Sequence, residues 1–505
     1  MAVVERPEQQ NIEYEMIDVI NPVTQAVIDQ IKVTPADEVA DAVERARFAQ
    51  QAWGSLSVKE RGFFIRRWLD LLWDNQGEGI KVLRRENGKS DGGAFLEFST
   101  VDGVGQYWIH NAQSVLKPKR RQSIFPIVQT ATIYHKPIGV VGIITPWNYP
   151  FALPFMDMIP ALMAGNTIVF KPSEITPFIA EWGVNLMYEA GIPRDVVQIV
   201  QGDGRTGKAL VDYVDFIQFT GSTATGQKIG HQAVERLIPF SLELGGKDPA
   251  IVLKDADPDK TAISLIQGAF ENAGQMCVSI ERVYIEAPIY DAVLDRLQHH
   301  AKRITMSGDD GMDVIVGSMT NHAELNRTQA HLDDAVKKGA TIITGGNHRP
   351  DLGALFFEPT ILVDVDHTMD IMRDETFGPV MPIMKVANET EAVRLANDSK
   401  YGLSASIYSS DLKRAKALAT QLDSGDVSIN KAQYGSGTPS VPSGGQKQSG
   451  LGRRNGDVGI LKYTATQSVI TDNLLGAEDS VQIATPFVVN AYSILRRIRR
   501  YIPFI

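Results

Sequence analysis

The chain has 505 residues, 50 basic and 60 acidic side chains, and a formal net charge of −10. This length allows about three domains, and the acidic balance without an extended basic block argues against binding to nucleic acid. The sequence contains no run of about 18 apolar residues and starts with polar residues, so we expect a cytoplasmic protein without a membrane-spanning helix or secretory signal. The single cysteine, Cys277, excludes an internal disulfide, and we expect no metal site.

The first predicted elements are helices and a hairpin. Residues 35–73 have apolar side chains at helical spacing, including Val39 and Phe48, and predict an N-terminal helical layer. Residues 117–135 alternate polar and β-branched side chains around Pro126, which predicts an exposed edge hairpin.

Short apolar runs then alternate with helical patterns in two series. The first series comprises residues 138–145, 166–170, 196–200 and 216–220, and the second comprises 249–253, 282–286, 341–345, 361–365 and 380–386. Strands that alternate with helices favour parallel sheets covered by helices, so the predicted fold class is α/β, with two such domains. Residues 431–452 are rich in Gly, Ser and Pro and predict a surface loop.

Two glycine-containing turns follow strands of the first series. Residues 202–207 form a literal GxGxxG motif, but no acidic residue ends the next strand about 20 positions later, so a simple turn into a helix is the favoured interpretation. Residues 219–226, FTGSTATG, also join a strand to a helix. The backbone N–H groups at the helix start near Ser222 could hold a pyrophosphate or form an ordinary helix cap.

Three residues could carry chemistry, and each also has a purely structural explanation. Cys277 follows small residues in NAGQMCVS and could be an inert buried thiol or a nucleophile. Glu243 ends an apolar strand before two glycines, where a carboxylate is costly unless it is paired or functional. Asn148, between Pro146 and Pro150, could cap its turn or donate to an oxyanion.

Seven motifs together resemble the aldehyde dehydrogenase superfamily over nearly the whole chain. In chain order they are TPWNYPF, FKPSE, FTGSTATG, LELGGKDP, NAGQMCVS, DETFGPV and GGQKQSGLGR. The resemblance implies a homodimer or homotetramer. It also implies a Rossmann-like NAD-binding domain in residues 1–116 and 136–246, an α/β catalytic domain in 247–430, a small β oligomerisation element in 117–135 and 431–475, and a C-terminal extension in 476–505.

The resemblance also implies a chemical role for each of the three residues. Cys277 would attack the aldehyde to form a thiohemiacetal and then a thioester, with the Asn148 amide and the Cys277 N–H holding the oxyanion. Glu243 would activate the hydrolytic water, for which Gly245 and Gly246 leave room. Two alternatives are a CoA-acylating relative, which typically lacks this glutamate, and a catalytically silent structural relative. The presence of all three residues weighs against the silent relative.

The cofactor implied by the resemblance is NAD, with NADP as the alternative. Lys171 and Glu174 would contact the adenosine ribose, and Glu375 and Phe377 the nicotinamide ribose. The Glu174 carboxylate would repel a 2′-phosphate, which favours NAD, although Lys171 could serve a phosphate. The full implied set is Thr145, Pro146, Trp147, Lys171, Ser173, Glu174, Gly204, Phe219, Gly221, Ser222, Thr225, Leu244, Glu375 and Phe377.

The implied substrate residues are uncharged and mostly apolar. They are Tyr149, Ala152, Leu153, Met156, Met276 and Val278. This set favours apolar aliphatic or aromatic aldehydes, because a semialdehyde with a distal carboxylate needs a cation such as arginine. Lys431 could supply that cation, and the chain is also similar to bacterial succinate-semialdehyde dehydrogenase-like members, so succinate semialdehyde is the alternative. Glu324, where many members have glutamine, and Ser443, where phenylalanine is frequent, depart from the family pattern.

The tail, residues 486–505, extends beyond the family pattern. Arg496, Arg497, Arg499 and Arg500 alternate with apolar residues, which predicts a short amphipathic helix. Such a helix could dock on a neighbouring subunit, which its short length favours, or make a peripheral contact with an anionic membrane.

Overall fold

The computed structural model describes residues 14–123, 129–432, 437–472 and 486–501. The chain divides into two compact units, one formed by the residues up to Val115 together with Pro137–Tyr463, and the other by Leu116–Lys136 and Thr464–Ile505. The first unit contains two mainly parallel sheets, which confirms the predicted α/β class. In the described part of the chain, no helix has the length and apolar character needed to cross a bilayer.

The first unit begins with an antiparallel hairpin and a layer of helices. These elements are β1 (Met16–Ile20), β2 (Val27–Lys32), α1 (Ala36–Ser55), α2 (Val58–Asp74), α3 (Gln76–Asn87) and α4 (Asp91–Leu116). The predicted helical layer is confirmed, and it contains a break because Ser57 and Glu60 form a capping box that starts a second helix. Val39 is buried as expected, whereas the Phe48 side chain is 83% exposed, so its assignment to the apolar face is wrong.

A six-stranded sheet follows, and it contains all four strands of the first predicted series. Its strands are β5 (Val140–Ile144), β6 (Thr167–Lys171), β7 (Val197–Ile199), β8 (Phe216–Thr220), β9 (Phe240–Glu243) and β17 (Gly450–Leu451). Their order is β17-β9-β8-β5-β6-β7, and all neighbours are parallel except β17 and β9. The helices of this part are α5 (Ala152–Met163), α6 (Phe178–Glu189), α7 (Gly204–Tyr213) and α8 (Thr223–Glu235).

The second sheet has seven strands in the order β12-β13-β14-β11-β10-β15-β16. They are β10 (Asp248–Val252), β11 (Ile280–Glu286), β12 (Thr341–Thr344), β13 (Thr360–Val363), β14 (Val380–Val386), β15 (Ser404–Tyr408) and β16 (Asp426–Ile429). The helices are α9 (Pro258–Phe270), α10 (Tyr290–Ala301), α11 (His322–Lys337), α12 (Asp370–Arg373), α13 (Glu389–Asn397), α14 (Leu412–Ala419) and α15 (Gly456–Leu461). The five strands predicted here are present, and β15 and β16 are additional.

The core of the second sheet is the largest apolar cluster of the described residues. Ile251, Val283, Ile383 and Ile407 come from four neighbouring strands and are fully buried. Burial of each such side chain stabilises the fold by roughly 1.5–3 kcal/mol. This packing supplies a rigid base for the loops at the strand ends.

The second unit contains a three-stranded sheet and the tail helix. They are β3 (Lys119–Arg121), β4 (Gln129–Pro137), β18 (Thr464–Asp472) and α16 (Pro486–Arg499), and the strand order is β18-β4-β3. The predicted hairpin is present, although Pro126 lies outside the described residues. Residues 437–463, which the prediction grouped with this hairpin, belong to the first unit because β17 pairs with β9.

Candidate active site

The main cavity lies where the strand order of the first sheet reverses. Strand β5 has β6 on one side and β8 on the other, and ligands of such sheets bind beyond the carboxyl ends of the strands at this point. Thr145 directly follows β5 and Gly221 directly follows β8, and both line a cavity of about 890 Å³. That volume is in the range of cofactor pockets, about 300–1,000 Å³.

The predicted cofactor residues lie around this cavity and an adjoining one. The cavities share Pro146, Trp147, Thr220, Gly221 and Ser222 in their linings. Eleven predicted residues line the larger cavity, namely Thr145, Pro146, Trp147, Lys171, Ser173, Glu174, Gly204, Phe219, Gly221, Ser222 and Thr225. The other three, Leu244, Glu375 and Phe377, line the adjoining cavity with Asn148 and Cys277.

The start of α8 fits an anionic group. Ser222 caps the helix by accepting a hydrogen bond from the Thr225 backbone N–H at 3.3 Å. The first N–H groups of a helix lack partners within the helix and attract negative charge. Because Gly221 and Ser222 both line the cavity, a pyrophosphate fits against this end of α8.

The GxGxxG motif starts α7, as its favoured interpretation predicted. Gly202 has a φ of 138°, and the Asp203 side chain caps the helix through the Arg205 N–H at 2.8 Å. Gly204 and Gly207 line the large cavity, so the motif contributes a wall.

The large cavity also has charged residues that the sequence analysis missed. Lys208 lies one turn after Gly204 on α7, and a stripe of four residues lines the cavity from α8. The stripe is Lys228, His231, Gln232 and Glu235. Its spacing of three, four and seven residues defines one helix face and could have identified it from sequence.

Cys277 follows a tight turn, Glu271–Gly274, that ties it to Asn148. In this turn Asn272 and Ala273 have φ values of 51° and 54°, a conformation that costs side-chain-bearing residues energy. The Asn272 amide donates to the Asn148 carbonyl oxygen at 3.0 Å, and the Asn148 amide donates to the Gln275 carbonyl oxygen at 3.0 Å. These reciprocal bonds hold the thiol loop against Asn148.

Asn148 has hydrogen-bonding capacity to spare. Its side-chain Nδ2 carries two N–H groups, and one of them donates to Gln275. Its Oδ1 atom is buried without a partner among the described residues. The second N–H is therefore available to an oxyanion formed in the cavity that Asn148 shares with Cys277.

The Cys277 thiol lies in surroundings that disfavour its charged form. Burial raises its pKa to about 12, and the carboxylates of Glu375, Asp248 and Glu243 act in the same direction. At neutral pH the thiol is protonated, so its reaction as a nucleophile requires a proton acceptor.

Glu243 has the properties of such an acceptor. It ends β9, and burial raises its pKa to about 7, while the positive charges of Arg454 and Lys462 oppose the shift. Its Oε1 atom is buried and has no partner in the described part of the chain. A carboxylate with a pKa near 7 exchanges protons readily at neutral pH.

The glycines after Glu243 allow other groups to come close. A Cβ atom on Gly245 would lie 2.3 Å from a Glu375 carboxylate oxygen, and one on Gly246 would lie 2.3 Å from the Cys277 carbonyl oxygen. The Gly246 N–H donates to Glu375 at 2.9 Å. A side chain at position 245 would displace Glu375, and one at position 246 would displace the loop that carries Cys277.

Comparison with known proteins assigns the chain to a family. Residues 9–469 match the model of the Aldehyde dehydrogenase family. The chain belongs to this family. It is 41% identical over 456 residues to a Mycolicibacterium smegmatis protein with the provisional name succinate-semialdehyde dehydrogenase [NADP(+)]. The matched region covers 90% of this chain and 88% of that protein.

Two further relatives differ in their named activities. The chain is 36% identical over 465 residues to a 4,4'-diapolycopene aldehyde oxidase of a Methylomonas species, covering 90% of this chain and 86% of that one. It superposes on a solved NAD-dependent aldehyde dehydrogenase from Sinorhizobium meliloti with a TM-score of 0.88 and 32% identity, covering 94% and 93% of the two chains. As a member of the aldehyde dehydrogenase family, the protein is an oxidoreductase that acts on aldehydes with NAD or NADP, which confirms the predicted class.

The charge of Glu324 is accommodated in the cavity by a basic partner. Glu324 lines the Cys277 cavity and forms an ion pair with Arg327, three residues later on α11. The Arg327 guanidinium also donates to the Thr376 carbonyl oxygen at 3.0 Å. Arg327 lines the same cavity and was missed in the sequence, although its spacing from Glu324 could have identified it.

The predicted substrate residues fall into two groups. Tyr149, Met276 and Val278 pack with Cys277 and with Leu403, which the sequence analysis missed, in one apolar cluster. Ala152, Leu153 and Met156 are buried at the start of α5.

Lys431 and Ser443 both form side-chain hydrogen bonds within the described structure. The Lys431 ammonium donates to Gln267 on α9 at 3.0 Å. The Ser443 hydroxyl donates to the Asp426 carboxylate at 2.6 Å, so the position that departs from the family pattern is part of a polar contact.

Proposed function

We propose that this aldehyde dehydrogenase oxidises an aldehyde to its carboxylic acid by a hydrolytic route through Cys277. The observation that carries the proposal is that Cys277 and Asn148 line one cavity together with Leu244 and Gly245, which directly follow Glu243. Cys277 and Asn148 line the same cavity, and the Glu243 carboxylate is near enough for its charge to raise the pKa of the thiol. A nucleophile, an oxyanion donor and a base are the groups that this chemistry needs.

Each residue has a defined part in the reaction. The Cys277 sulfur attacks the carbonyl carbon as its proton passes to Glu243, and the Asn148 amide and the Cys277 N–H stabilise the oxyanion. Glu375 and Phe377 would hold the nicotinamide end of the cofactor, which would supply the hydride acceptor for conversion of the thiohemiacetal into a thioester. Glu243 first releases the thiol proton to solvent and then takes a proton from the attacking water. This proton passes to the sulfur as the carbon–sulfur bond breaks, which releases the carboxylic acid and restores the thiol.

The cofactor proposal follows from the charges of the large cavity. Lys171, Lys208 and Lys228 line it together with Glu174 and Glu235. The Glu174 carboxylate lies 3.2 Å from the Lys171 ammonium, so part of its repulsion of a 2′-phosphate is offset. We therefore propose that NAD is used and that NADP is accepted as well.

The substrate proposal is an apolar aliphatic or aromatic aldehyde. The residues around the thiol, Tyr149, Met276, Val278 and Leu403, form an apolar cluster. The relative named for a diapolycopene aldehyde also supports an apolar substrate. Succinate semialdehyde is the second candidate, and the name of the M. smegmatis relative favours it.

A substrate panel with a Cys277→Ser variant tests the proposal. We expect NAD reduction with hexanal, decanal and benzaldehyde, with kcat/KM rising with chain length and a lower value for succinate semialdehyde. Cys277→Ser should lose the activity while it keeps the melting temperature and oligomeric state. Full activity of this variant would overturn the mechanism, and a clear preference for succinate semialdehyde would overturn the substrate proposal.

We also propose that the second unit forms a homodimer or homotetramer contact. In the order β18-β4-β3, the outer strands leave backbone groups at the sheet edges, which readily pair with another strand. Ile470 on β18 is 67% exposed, although it is a large apolar residue. Sedimentation of the full chain and of an Ile470→Lys variant tests this role, and an unchanged assembly in the variant would argue against β18 as the contact.

For the tail helix α16 we propose a peripheral contact with an anionic membrane, as the alternative to the docking on a neighbouring subunit that its short length favours. Ile494 and Ile498 lie one turn apart on one face of α16, Tyr501 follows the helix, and all three are exposed. Arg496 and Arg500 are exposed on another face, as expected of a helix at an anionic surface. The full chain should sediment with phosphatidylglycerol vesicles but not with phosphatidylcholine vesicles, and a chain ending at residue 472 should bind neither. Equal sedimentation of the full and the shortened chain with phosphatidylglycerol vesicles would support docking of the helix on a subunit instead.

A further inference from the structure

A carboxylate next to the substrate residues has no part in the proposed reaction. Glu271 ends α9 and begins the turn that leads to Cys277. Its Oε1 atom accepts a hydrogen bond from the Tyr149 hydroxyl at 3.1 Å. Burial raises the pKa of Glu271, and the Tyr149 hydrogen bond and the Lys89 charge oppose this shift.

Tyr149 connects this carboxylate to the reacting groups. It directly follows Asn148 and packs in the apolar cluster that contains Met276, Val278 and Cys277. Glu271 therefore lies at the hydroxyl end of an aromatic ring that also packs in the cluster containing Cys277.

Lys89 holds the Tyr149 ring in this orientation. Its buried ammonium lies 4.0 Å from the ring centroid, donates to the Asn148 carbonyl oxygen at 2.9 Å, and forms an ion pair with Glu97. Glu97 in turn accepts hydrogen bonds from the backbone N–H groups at the start of α5. The ring is thus fixed between Lys89 and Glu271.

The charges around Glu271 do not cancel its negative charge. The Lys89 charge is paired with Glu97, and the Lys431 ammonium donates to Gln267, although its charge also acts on Glu271. The Tyr149 phenol that bonds Glu271 is neutral, so this bond orients the carboxylate without cancelling its charge.

We propose that Glu271 is a specificity-determining residue that selects against aldehydes with an anionic tail. Like charges in a partly buried site repel each other strongly, so a second carboxylate beside Glu271 is disfavoured, while a neutral tail is accepted and a cationic tail is attracted. This inference rests on the proposed aldehyde oxidation at Cys277. It gives a physical reason for a preference against succinate semialdehyde in a chain whose relatives include a protein named for that substrate.

Three short aldehydes that differ in tail charge test the proposal. They are succinate semialdehyde, its neutral ester methyl 4-oxobutanoate, and the cation 4-(trimethylammonio)butanal. In the wild type we expect kcat/KM to be higher for the ester than for the anion. Glu271→Gln should raise the anion-to-ester ratio of kcat/KM on the order of tenfold, the size expected for removing one like charge within about 10 Å at an effective permittivity near 20. The cation-to-ester ratio should fall.

The anion-to-ester and cation-to-ester ratios should change in opposite directions, which distinguishes an effect of charge from a general structural defect. A general defect in folding or cofactor binding would change kcat/KM for all three aldehydes together. Glu189→Gln removes the same charge from an exposed position at the end of α6 and should leave both ratios unchanged. A wild type that prefers succinate semialdehyde to the ester, or a Glu271→Gln variant with an unchanged ratio, would overturn the proposal. Absence of activity on all three aldehydes in the wild type would count against the proposed function instead.

A Tyr149→Phe variant gives a second, independent readout. The Tyr149 hydroxyl lowers the pKa of Glu271, so its removal should raise that pKa. As pH falls, Glu271 becomes protonated and the anion-to-ester ratio should rise, while the tail of succinate semialdehyde remains ionised above about pH 5. In Tyr149→Phe this rise should begin at a higher pH than in the wild type. Coinciding pH profiles would contradict the assigned role, because groups such as Lys89, Glu97 and Lys431 act equally in both proteins.

Discussion

Arg454 forms a two-point ion pair with Asp157, and its positive charge lowers the pKa of the Glu243 carboxylate. The Arg454 Nε atom lies 3.1 Å from Asp157 Oδ1, and Nη2 lies 2.6 Å from Oδ2. The guanidinium also donates to the Thr220 hydroxyl at 3.0 Å, and Asp157 accepts from the Tyr463 hydroxyl at 3.2 Å. The candidate base therefore has a fixed positive charge behind it, which lowers the pKa that burial would otherwise raise further.

Removing the Arg454 charge should move the pH dependence of catalysis upwards. The rate should rise with pH as Glu243 loses its proton near its pKa of about 7, because only the carboxylate can accept a proton. In Arg454→Met this pKa should be higher, so the midpoint of the pH–rate profile should shift to higher pH. Arg454→Lys keeps the charge and should restore the midpoint, and an equal midpoint in all three proteins would exclude this electrostatic role.

The same substitution should also destabilise the fold. Arg454→Met leaves Asp157 buried without its main partner, which costs roughly 3–5 kcal/mol in comparable buried pairs. Urea unfolding should show this loss in the free energy of unfolding. Arg205→Met, which breaks an exposed pair with Glu15, should cost at most about 1 kcal/mol and serves as the control.

Loss of the Asn148 amide should slow the reaction with little effect on cofactor binding. Asn148→Ala removes one oxyanion donor, and such donors are worth about 100- to 1,000-fold in kcat. Fluorescence titration with NADH should give a nearly unchanged dissociation constant. A loss of less than about tenfold would show that the second Asn148 N–H does not meet the oxyanion.

Glu174 should control the choice between the two cofactors. Glu174→Gln removes the charge that repels a 2′-phosphate and releases Lys171 from its ion pair. The ratio of kcat/KM for NADP to that for NAD should increase on the order of tenfold, as expected for one charge at short range near the surface. A Glu235→Gln variant compares the other carboxylate of the cavity, and an equal effect of both variants would assign the selectivity to overall charge.

Replacing Gly246 by alanine should inactivate the enzyme because the added methyl group displaces the loop that carries Cys277. In Gly246→Ala the new Cβ atom would meet the Cys277 carbonyl oxygen at 2.3 Å, so the thiol loop must move. We expect both a lower melting temperature and a loss of kcat. Gly103→Ala, on an exposed position of α4, is the matched control because a Cβ atom there meets nothing within 4 Å. Unchanged activity in Gly246→Ala would show that the thiol position is not critical.

Strongly apolar strands and the motifs at their ends were predictable from the sequence, and other features depended on tertiary contacts. The strands VVGII and VMPIMKV have nearly continuous apolar runs, whereas SASIY and DVSI of β15 and β16 contain serines whose burial only the sheet explains. Phe48 has the same local spacing as buried neighbours, yet its side chain is 83% exposed.

The parts of the site that the sequence did not predict arise from distant residues. Glu271 lies 122 positions from Tyr149, and no local pattern indicates that the two side chains meet. Arg454 reaches Asp157 across 297 positions. Lys208, Lys228 and Arg327, by contrast, lie within one or two turns of residues already singled out, so helix spacing could have identified them.

The central claim is a thioester on Cys277 that Glu243 hydrolyses, and mass spectrometry of a Glu243→Gln variant tests it most directly. The variant is mixed with hexanal and NAD, quenched with acid and digested. In Glu243→Gln the thiol can still lose its proton slowly to solvent at alkaline pH, whereas the hydrolytic water has no base beside it. Hydrolysis is therefore slowed more than thioester formation. We predict that at pH 9 the peptide containing Cys277 carries an added hexanoyl group, and that hydroxylamine removes it. If Glu243→Gln turns over at the wild-type rate and Cys277 never carries an acyl group, the account is contradicted.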